Sequence, residues 1–361
     1  MKEKIRIGII GTGFARSVQI PAFLQCADAE IVSVASAHRE NAERVGRDFN
    51  IAHFTDDWRE TIENQNADLI CITTPPRTHR EMTLFALERG KHVLCEKPMA
   101  MNVSEAAEML DKTNKKSVLA LIDHELRFVN GRQKVFEMIR NGDIGKVVHA
   151  KYNLCNAWRG DASLPWTWWS DETQGGGALG AIGSHVIDTF RWFLGAEISQ
   201  VFCQLNTHIK QRPDNETNKM RKVTSDDETL MILRFSDNDL IEDATANVSI
   251  SMVEAGNYRN TVEFFGTTGA IRVEDGGEVF FADIKESVWK PVEIDLGKTP
   301  PDTKIGGWSR GFLNFSHEII KALCEGKTEV ENAATFADGY KIQLVLDAAR
   351  KSDATGAVVK L

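Results

Sequence analysis

The sequence lacks several features that mark nucleic-acid-binding, metal-binding or disulfide-bonded proteins. Acidic residues outnumber basic ones, 52 Asp and Glu against 43 Lys and Arg, and the basic residues form no cluster. This balance argues against nucleic acid and anionic membranes as main partners. The six cysteines are scattered and form no CxxC or CxxxC pair. We therefore expect reduced thiols, no disulfide framework and no metal ligands.

Long apolar runs are also missing, and none approaches the length needed to span a bilayer. The opening segment MKEKIRIGIIGTG sets lysines before apolar residues, as a signal peptide does. However, Arg6 and Gly8 interrupt its short apolar part, and no small-residue cleavage site follows. We therefore expect a first β-strand here, and a cytoplasmic protein.

The hydrophobic pattern changes near residue 125 of the 361 residues. Before it, nearly unbroken apolar strands alternate with helical patterns, which predicts a parallel sheet covered on both faces. After it, alternating strands separated by turn residues predict a mostly antiparallel sheet. We expect an α/β dinucleotide-binding domain at 1–124 and an α+β domain for substrate binding and oligomerisation at 125–361.

Three smaller expectations concern local structure. Ser104 is predicted to cap the helix at 104–113. The polar segment 212–222 is predicted to be a mobile loop. The segment 333–352 has apolar residues at helical spacing and is predicted to be a helix.

A glycine-rich segment follows the first predicted strand and precedes a helix. Tight turning and close backbone approach at such a position suit a dinucleotide pyrophosphate, although glycine turns without a ligand are common. Arg16 stands where a third glycine is usual, so either the helix sits off the strand or the arginine meets phosphate. The candidate cofactor-binding residues here are Gly11, Thr12, Gly13, Phe14, Ala15 and Arg16.

The second strand ends in VASAHRE, without the acidic residue that binds the ribose 2′-hydroxyl of NAD. Ser36, His38 and Arg39 stand there instead, a set suited to a 2′-phosphate. The sequence therefore favours NADP and leaves NAD open. A surface helix start, or adenine stacking without selectivity, are the competing interpretations.

The segment GKHVLCEKPMA (90–100) is an apolar strand that must stop at Pro98, because proline cannot donate to a sheet ladder. It leaves Lys97 at the edge of the sheet beside Glu96. One interpretation is a surface lysine that pairs with this acid, and the other is a lysine fixed at a ligand site.

Four segments together resemble the glucose–fructose oxidoreductase, inositol dehydrogenase and MocA (Gfo/Idh/MocA) family: GIIGTGFA, ITTPPRTH (72–79), GKHVLCEKPMA, and GGGALGAIGSHVID (175–188). The resemblance covers nearly the whole chain. It implies an N-terminal Rossmann domain with a doubly wound parallel sheet, and a C-terminal domain on a large open sheet. It also implies NAD(P)-dependent oxidoreduction of sugars, cyclitols or related polyols.

By this resemblance the lysine of Glu-Lys-Pro, Lys97, reaches the nicotinamide and the substrate. An ammonium group held against the reacting oxygen stabilises the charge that develops as hydride departs. Thr74, Pro75 and His79 match the family's loop beside the cofactor, and Glu96 is included with the cofactor-binding residues. His79 is predicted to be structural rather than catalytic.

The resemblance also implies that His185 transfers a proton, which suits a side chain that titrates near neutrality. Taken alone, a histidine on an apolar helix is more often a core residue. Asp188 is predicted to orient the site or pack the helix. Many family members carry an aspartate where this chain has Ala181, so a Lys-Asp-His arrangement is not expected and the tuning of His185 stays open.

The segment NAWRGDASLPWTWWSDETQ (156–174) holds half of the tryptophans. Trp158, Arg159 and Trp168 are candidate substrate-binding residues, because sugars bind flat apolar faces and charged groups. Packing at a domain or subunit interface is an equal alternative. Arg127 is a further candidate for the substrate cleft, with an interdomain salt bridge as its alternative.

Three functions are weighed. A sugar or polyol dehydrogenase is favoured over a non-catalytic nucleotide-binding sensor, because a sensor needs neither Glu-Lys-Pro nor His185. A cofactor-dependent glycosidase on the same fold is the third. A homodimer or homotetramer is expected, since a single chain leaves one face of an open sheet uncovered.

Overall fold

The structure is a computed structural model that describes residues 4–256, 258–301 and 303–361. Strands are numbered along the chain: β1 Ile5–Ile10, β2 Ala29–Ala35, β3 His53–Thr55, β4 Leu69–Ile72, β5 His92–Cys95, β6 Ala120–Ile122, β7 Val147–Cys155, β8 Ile198–Asn206, β9 Gln211–Asp214, β10 Lys219–Lys222, β11 Glu228–Phe235, β12 Ile241–Ser251, β13 Arg259–Gly266, β14 Gly269–Glu274, β15 Val279–Asp283, β16 Lys290–Val292 and β17 Val359–Lys360. The α-helices are α1 Ile20–Phe23, α2 Arg39–Asp48, α3 Trp58–Glu63, α4 His79–Glu88, α5 Val103–Asn114, α6 Asn130–Arg140, α7 Ser184–Leu194, α8 Gly307–Cys324 and α9 Phe336–Thr355.

The first sheet has six parallel strands in the order β3-β2-β1-β4-β5-β6. Its central strands are buried on both faces, as β4 shows with four consecutive buried residues. This is the doubly wound Rossmann arrangement, in which strand order reverses next to β1. Apolar clusters lie on both faces of the sheet, one including residues of α1 and α8 and the other including residues of α4 and α5.

The second sheet has nine strands in the order β16-β15-β14-β13-β7-β12-β11-β8-β17. Only β7 and β12 pair in parallel among these neighbours. Burial alternates strictly along β11, which places one side chain in the core and the next outside. The core side packs on a large cluster that includes α7 residues such as Phe190 and Phe193. These two sheets confirm the predicted fold class.

The chain divides into two compact units. The first unit contains residues 1–129 and 297–340, and the second contains residues 130–296 and 341–361. This division differs from the predicted boundary at residue 124, because the chain returns to the first unit late. The physical reason is aromatic packing: Phe312 of α8 meets Phe23 edge-on at 5.4 Å, and Phe315 stacks on Phe128 at 4.4 Å.

Two local predictions were wrong. Helix α5 begins at Val103, and its capping residue is Asn102, two residues before Ser104, because the Asn102 side chain accepts a hydrogen bond from the Glu105 amide at 3.0 Å. Part of the polar segment 212–222 forms the hairpin β9–β10 instead of a mobile loop. The hairpin is anchored by Arg212, whose side chain is buried against backbone carbonyl groups.

All six cysteines are free thiols. No helix in the described part of the chain combines the length and apolar character needed to cross a membrane.

Candidate functional site

The glycine loop after β1 is shaped by its contact with the end of β4. Gly11 has a φ of +102°, and a Cβ there would lie 2.4 Å from the carbonyl oxygen of Thr73. Only glycine fits this position. The Thr73 hydroxyl donates to the carbonyl oxygens of Ile10 and Gly11 at 2.9 Å each. The loop is therefore fixed to the carboxyl edge of the sheet, where ligands of open parallel sheets bind.

Gly13 differs from Gly11, because packing within the chain does not require it. Its φ is not positive, and no described residue comes within 4 Å of the position a Cβ would occupy. Glycine here leaves space beside the backbone, which a pyrophosphate approaching the loop needs. The residues present therefore fit a dinucleotide.

The helix after the loop begins with a π-helical turn, 15–19, before α1. Ala15 is fully buried, which allows close approach to the sheet. The Arg16 guanidinium pairs with Asp48 of α2 at 2.7 Å. In the structure Arg16 thus forms an exposed ion pair. Its contact with a phosphate group stays a prediction.

The end of β2 carries the residues proposed to select the cofactor. The Ser36 and Thr12 hydroxyls lie 3.4 Å apart, so strand β2 and the glycine loop meet here. His38 is exposed and precedes α2 without capping it. Arg39 is also exposed and lies 3.4 Å from Asp56, an acid that follows β3. Sequence reasoning missed Asp56, because β3 is too short to be predicted.

The loop after β4 is held by a buried histidine. His79 Nε2 lies 2.8 Å from the carbonyl oxygen of Thr74, and Nδ1 lies 3.0 Å from that of Pro98. Burial lowers the pKa of His79. The ring thus joins the Thr74-Pro75 loop to the Glu-Lys-Pro loop, which supports the structural role predicted for it.

Lys97 lies two residues after the end of β5 and precedes a cis peptide bond to Pro98. Its Nζ lies 6.0 Å from the ring centroid of Trp308, at the start of α8. Glu96 is buried, which counts against a surface pair between this acid and the lysine. Trp308 was missed by sequence reasoning, since it is more than two hundred residues away along the chain.

A buried acidic cluster that includes Glu96, the residue before Lys97, was also missed, although Asp123-His124-Glu125 follows a predicted strand. Asp123 and Glu125 are buried together with Glu96. Burial raises the pKa of Asp123 well above its usual range, and the charges of Glu125 and Glu96 add to this effect. Burial raises the pKa of Glu96 as well, against the opposing charge of Lys97.

Arg127 is buried in the first unit. Its guanidinium donates to the carbonyl oxygen of Asn332 at 3.3 Å and lies 3.6 Å from Asp338. Both partners belong to the same unit as Arg127. These contacts give Arg127 a packing role there, and its proposed contact with substrate stays a prediction.

In the second unit, the segment Gly175-Gly176-Gly177 leads into the helix that carries His185. Gly177 has a φ of +114°, and the Asp226 side chain occupies the space where a Cβ would lie. Asp226 also accepts a hydrogen bond from the Leu179 amide at 2.7 Å, which starts a π-helical turn over 179–183 before α7. Gly177 therefore serves the entry into this helix, because it leaves room for the side chain that caps the helix start.

His185 and Asp188 are both buried on α7, one helical turn apart. Ala181 is buried in the π-helical turn that precedes α7. Many relatives are expected to carry an aspartate carboxylate at this position, and this chain has the methyl group of Ala181 there. The roles of His185 and Asp188 in the reaction stay predictions.

The tryptophan-rich segment is held by the β9–β10 hairpin. The Trp166 indole donates to the carbonyl oxygen of Lys222 at 3.0 Å, and the guanidinium of Arg221 stacks 3.3 Å above the same ring. Arg212 donates to the carbonyl oxygens of Arg159 and Asp161. These contacts give the segment a fixed shape without a second subunit.

The candidate substrate residues of this segment have different surroundings. Trp158 is 53% exposed and stacks on Tyr258 at 5.8 Å. The Arg159 side chain donates to the Ser170 hydroxyl at 3.1 Å, and Trp168 packs against its neighbour Trp169. Among these three candidates, Trp158 is therefore the residue with the most exposed side chain for contact with a ligand.

Comparison with known proteins identifies the class. Residues 5–124 match the model of an oxidoreductase family with an NAD-binding Rossmann fold, and residues 132–272 match the GFO/IDH/MocA C-terminal domain. The chain belongs to the Gfo/Idh/MocA oxidoreductase family, which confirms the resemblance seen in the sequence.

Individual relatives cover most of the chain. An uncharacterised oxidoreductase of Synechocystis is 30% identical over 74% of this chain and 71% of its own length. Levoglucosan dehydrogenase of Pseudarthrobacter phenanthrenivorans is 29% identical over 98% of this chain and 97% of its own length. A solved structure of levoglucosan dehydrogenase in complex with NADH and L-sorbose aligns with a TM-score of 0.87 at 27% identity, covering 99% of both chains.

Proposed function

We propose that this protein is an NAD(P)-dependent oxidoreductase that transfers a hydride between nicotinamide and a carbinol or carbonyl carbon of a sugar, cyclitol or related polyol. The observation that carries the proposal is Lys97 at the carboxyl end of β5, in the sheet whose first strand leads into the glycine loop. Ligands of open parallel sheets bind at that edge. The sugar ligand and NADH named for the levoglucosan dehydrogenase structure support a carbohydrate-like substrate.

The cofactor, when bound, supplies the hydride acceptor or donor. Gly11 shapes the turn that would hold its pyrophosphate, and Gly13 leaves the backbone accessible. The positive end of the following helix favours a negative charge at this position.

Lys97 acts on the substrate oxygen. As the carbon loses a hydride, negative charge develops on the hydroxyl oxygen, and an ammonium group fixed beside it stabilises that charge more than the ground state. The Trp308 ring lies near the Lys97 ammonium and restricts its surroundings. In the reverse direction the same contact polarises a carbonyl group.

His185 carries the proton. The hydroxyl proton has to leave during oxidation, and an imidazole accepts it at neutral pH and returns it during reduction. The burial of His185 on α7 favours a defined orientation. Asp188, one turn further along the helix, is assigned to orienting the site.

The experiment that tests this function is a substrate screen. Purified protein is mixed with sugars, cyclitols and their keto forms together with NAD(H) or NADP(H), and absorbance of the reduced nicotinamide is followed. We expect turnover with at least one carbohydrate. Cofactor binding without turnover across the screen would favour the sensor, and hydrolysis of a chromogenic glycoside added in a parallel assay, without net change in reduced nicotinamide, would favour the glycosidase.

For the cofactor, we propose that NADP is preferred. Ser36 and Arg39 support this, because a hydroxyl and a guanidinium suit a 2′-phosphate and the strand end lacks an acid. Asp56 pairs with Arg39 and opposes this preference. Isothermal titration with both cofactors decides the point, and tighter binding of NAD would refute it.

For the assembly, we propose a homodimer or homotetramer formed through the nine-stranded sheet. Ile232 of β11 is 56% exposed, Phe202 of β8 is 36% exposed, and the two residues are paired across the strands. Adjacent exposed apolar side chains on an open sheet face support burial by a second copy. Light scattering at micromolar concentration tests this, with Ile232→Lys as the disrupting variant.

The six free thiols support the predicted cytoplasmic location.

A further inference from the structure

Three buried polar side chains, those of Gln19, Asp123 and Glu96, meet next to the backbone of Lys97, and the proposed mechanism does not use them. Gln19 and Asp123 are 0% exposed, and Glu96 is 8% exposed. They come from three different elements: Gln19 from the π-helical turn after the glycine loop, Glu96 from the end of β5, and Asp123 from the end of β6. The ends of β5 and β6 are themselves joined, because the Asp123 amide donates to the carbonyl oxygen of Cys95 at 2.8 Å.

The hydrogen bonds show how protons are distributed in this cluster. The Gln19 Nε2 donates to Asp123 Oδ2 at 2.7 Å and to Glu96 Oε1 at 3.4 Å. The Lys97 backbone amide donates to Glu96 Oε2 at 3.3 Å. One amide nitrogen, that of Gln19, therefore bridges the two buried carboxyl groups, and two neighbouring buried carboxyl groups disfavour ionisation of both, which favours one shared proton.

The proton is best placed on Asp123. Within the described part of the chain, Asp123 Oδ1 is buried and accepts no hydrogen bond. An O–H group on Oδ1 gives this atom a role as donor, while Oδ2 accepts from Gln19. Both Glu96 oxygens accept N–H donors, as suits an ionised carboxylate. Glu96 therefore holds the negative charge.

The other titratable groups around the pair agree with one proton on it. Glu125, from the turn after β6, adds a negative charge nearby, which disfavours ionisation of Asp123. Burial raises the pKa of the Cys71 and Cys95 thiols, so both stay neutral. Lys97 is the cation whose charge favours the ionised form of Glu96.

We propose that Gln19, Glu96 and Asp123 form a buried carboxyl pair that holds one proton, and that its remaining negative charge is the counter-charge that positions Lys97. The counter-charge role rests on the proposed function of Lys97, whereas the shared proton does not. Gln19 connects the carboxyl pair to the π-helical turn that follows the glycine loop. The cofactor-binding segment and the catalytic lysine are thus joined through one hydrogen-bonded unit.

Two isosteric variants separate charge from shape. Glu96→Gln removes the negative charge, while Asp123→Asn keeps it and supplies an amide N–H in place of the acid O–H. We expect Glu96→Gln to lower kcat by at least about tenfold more than Asp123→Asn, a size typical of residues that act through a reacting group. Cofactor Kd should change by less than about threefold in Glu96→Gln, because this variant leaves Gly11 and Gly13 of the glycine loop unchanged. Asp111→Asn removes the same charge from an exposed site and serves as the control.

Infrared spectroscopy tests the proton directly. The wild-type protein should show the carbonyl stretch of a buried protonated carboxylic acid, which shifts in D₂O and is lost in Asp123→Asn but kept in Asp111→Asn. A band that persists in Asp123→Asn, or no such band in the wild type, would overturn the proton assignment. This readout remains if Glu96→Gln fails to fold.

Two kinetic outcomes would overturn the counter-charge. One is equal loss of kcat in Glu96→Gln and Asp123→Asn, which indicates packing alone. The other is full turnover in Lys97→Ala, which would defeat the proposed function itself while leaving the infrared result intact.

Discussion

Two glycine-rich segments of this chain, 11–13 and 175–177, look alike in sequence and differ in what their glycines do. Each leads into a π-helical turn and then an α-helix. In 175–177, a Cβ on Gly176 would meet the backbone of Trp169, and a Cβ on Gly177 would meet Asp226. In 11–13, Gly11 is required by the neighbouring strand, whereas Gly13 borders open space.

The difference teaches how to separate a glycine kept for folding from one kept for a ligand. A folding glycine has a positive φ or a neighbour in the place of its missing Cβ. A glycine that has neither, such as Gly13 or Gly306, is not required by the fold, and at Gly13 the position directly after β1 favours a ligand as the reason. The first segment thus has room for the cofactor proposed to bind there, and the second segment is shaped by the start of the helix of His185.

The largest expected effect tests the proposed catalytic role of Lys97, which lies in the same unit as the glycine loop. Lys97→Ala should lower turnover by about 10³-fold or more, as loss of a contact made in the transition state does. Cofactor affinity should stay nearly unchanged, since the glycine loop is intact. Steady-state kinetics and titration calorimetry measure both quantities, and Lys115→Ala, an exposed lysine of the same unit, is the control. Turnover like that of the wild type would remove the catalytic assignment.

The next effect tests the two folding glycines. Gly11→Ala and Gly177→Ala should each lower the free energy of unfolding by at least about 2 kcal/mol, because each has a positive φ and no room for a methyl group. Gly177→Ala should leave the affinity of the folded protein for cofactor unchanged. Denaturant unfolding and cofactor titration check this. A fully stable Gly177→Ala protein would contradict the folding role of the second segment.

The ligand glycine should show the opposite pattern. Gly13→Ala should change the free energy of unfolding by no more than about 1 kcal/mol, because its φ is not positive and the space is empty. It should weaken cofactor binding by about tenfold or more, which corresponds to about 1.4 kcal/mol. If binding is unaffected, Gly13 does not border the cofactor and the comparison fails at this residue.

A pH-dependent effect follows from the buried acid beside the ligand loop. The pKa of Asp123 is raised in the folded protein, so the folded state holds a proton that the unfolded state releases. The loss of folding free energy caused by this proton is zero below the pKa that Asp123 has in the unfolded state. It grows as pH rises from that value toward the pKa of Asp123 in the folded state. Asp123→Asn should therefore raise Tm relative to wild type by about 2–4 °C or more near pH 8, and by less near pH 5. An unchanged Tm difference between these two pH values would contradict the raised pKa.

The last expected effect concerns the cofactor's 2′-phosphate. Arg39→Ala should weaken NADP binding by about tenfold and spare NAD, since an exposed guanidinium–phosphate contact is worth about 1–2 kcal/mol. Asp56→Asn should act in the opposite direction, because it releases Arg39 from its ion pair. Titration of both variants with both cofactors sharpens the account of the ligand loop, and equal losses for NAD and NADP would refute selectivity at Arg39.

Sequence patterns predicted the elements whose signals are local. The parallel strands of the first sheet and the alternating strands of the second sheet were predicted, because each central strand is a continuous or alternating apolar run. The short strand β3 and the hairpin β9–β10 were missed, since three or four polar residues carry little periodic signal. The hairpin is held by Arg212, whose partners lie about fifty residues earlier.

Candidate site residues divide in the same way. Gly11, Lys97 and His185 belong to motifs that were identified from the sequence alone, because each motif is a short continuous segment of the chain. Trp308 and the buried pair of Glu96 and Asp123 were found only after folding, because each contact joins segments far apart in sequence.

By itself, then, the sequence determined the fold class, the family and the identity of the motif residues, since local hydrophobic patterns and contiguous motifs carry that information. The tertiary structure decided which glycine borders open space, which carboxyl group lies buried against another, and which late segment returns to the first unit. The physical reason is that burial and charge interactions depend on distances between residues that the chain order leaves far apart. A buried carboxyl group such as Asp123 becomes chemically distinct from an exposed one only when folding removes it from water.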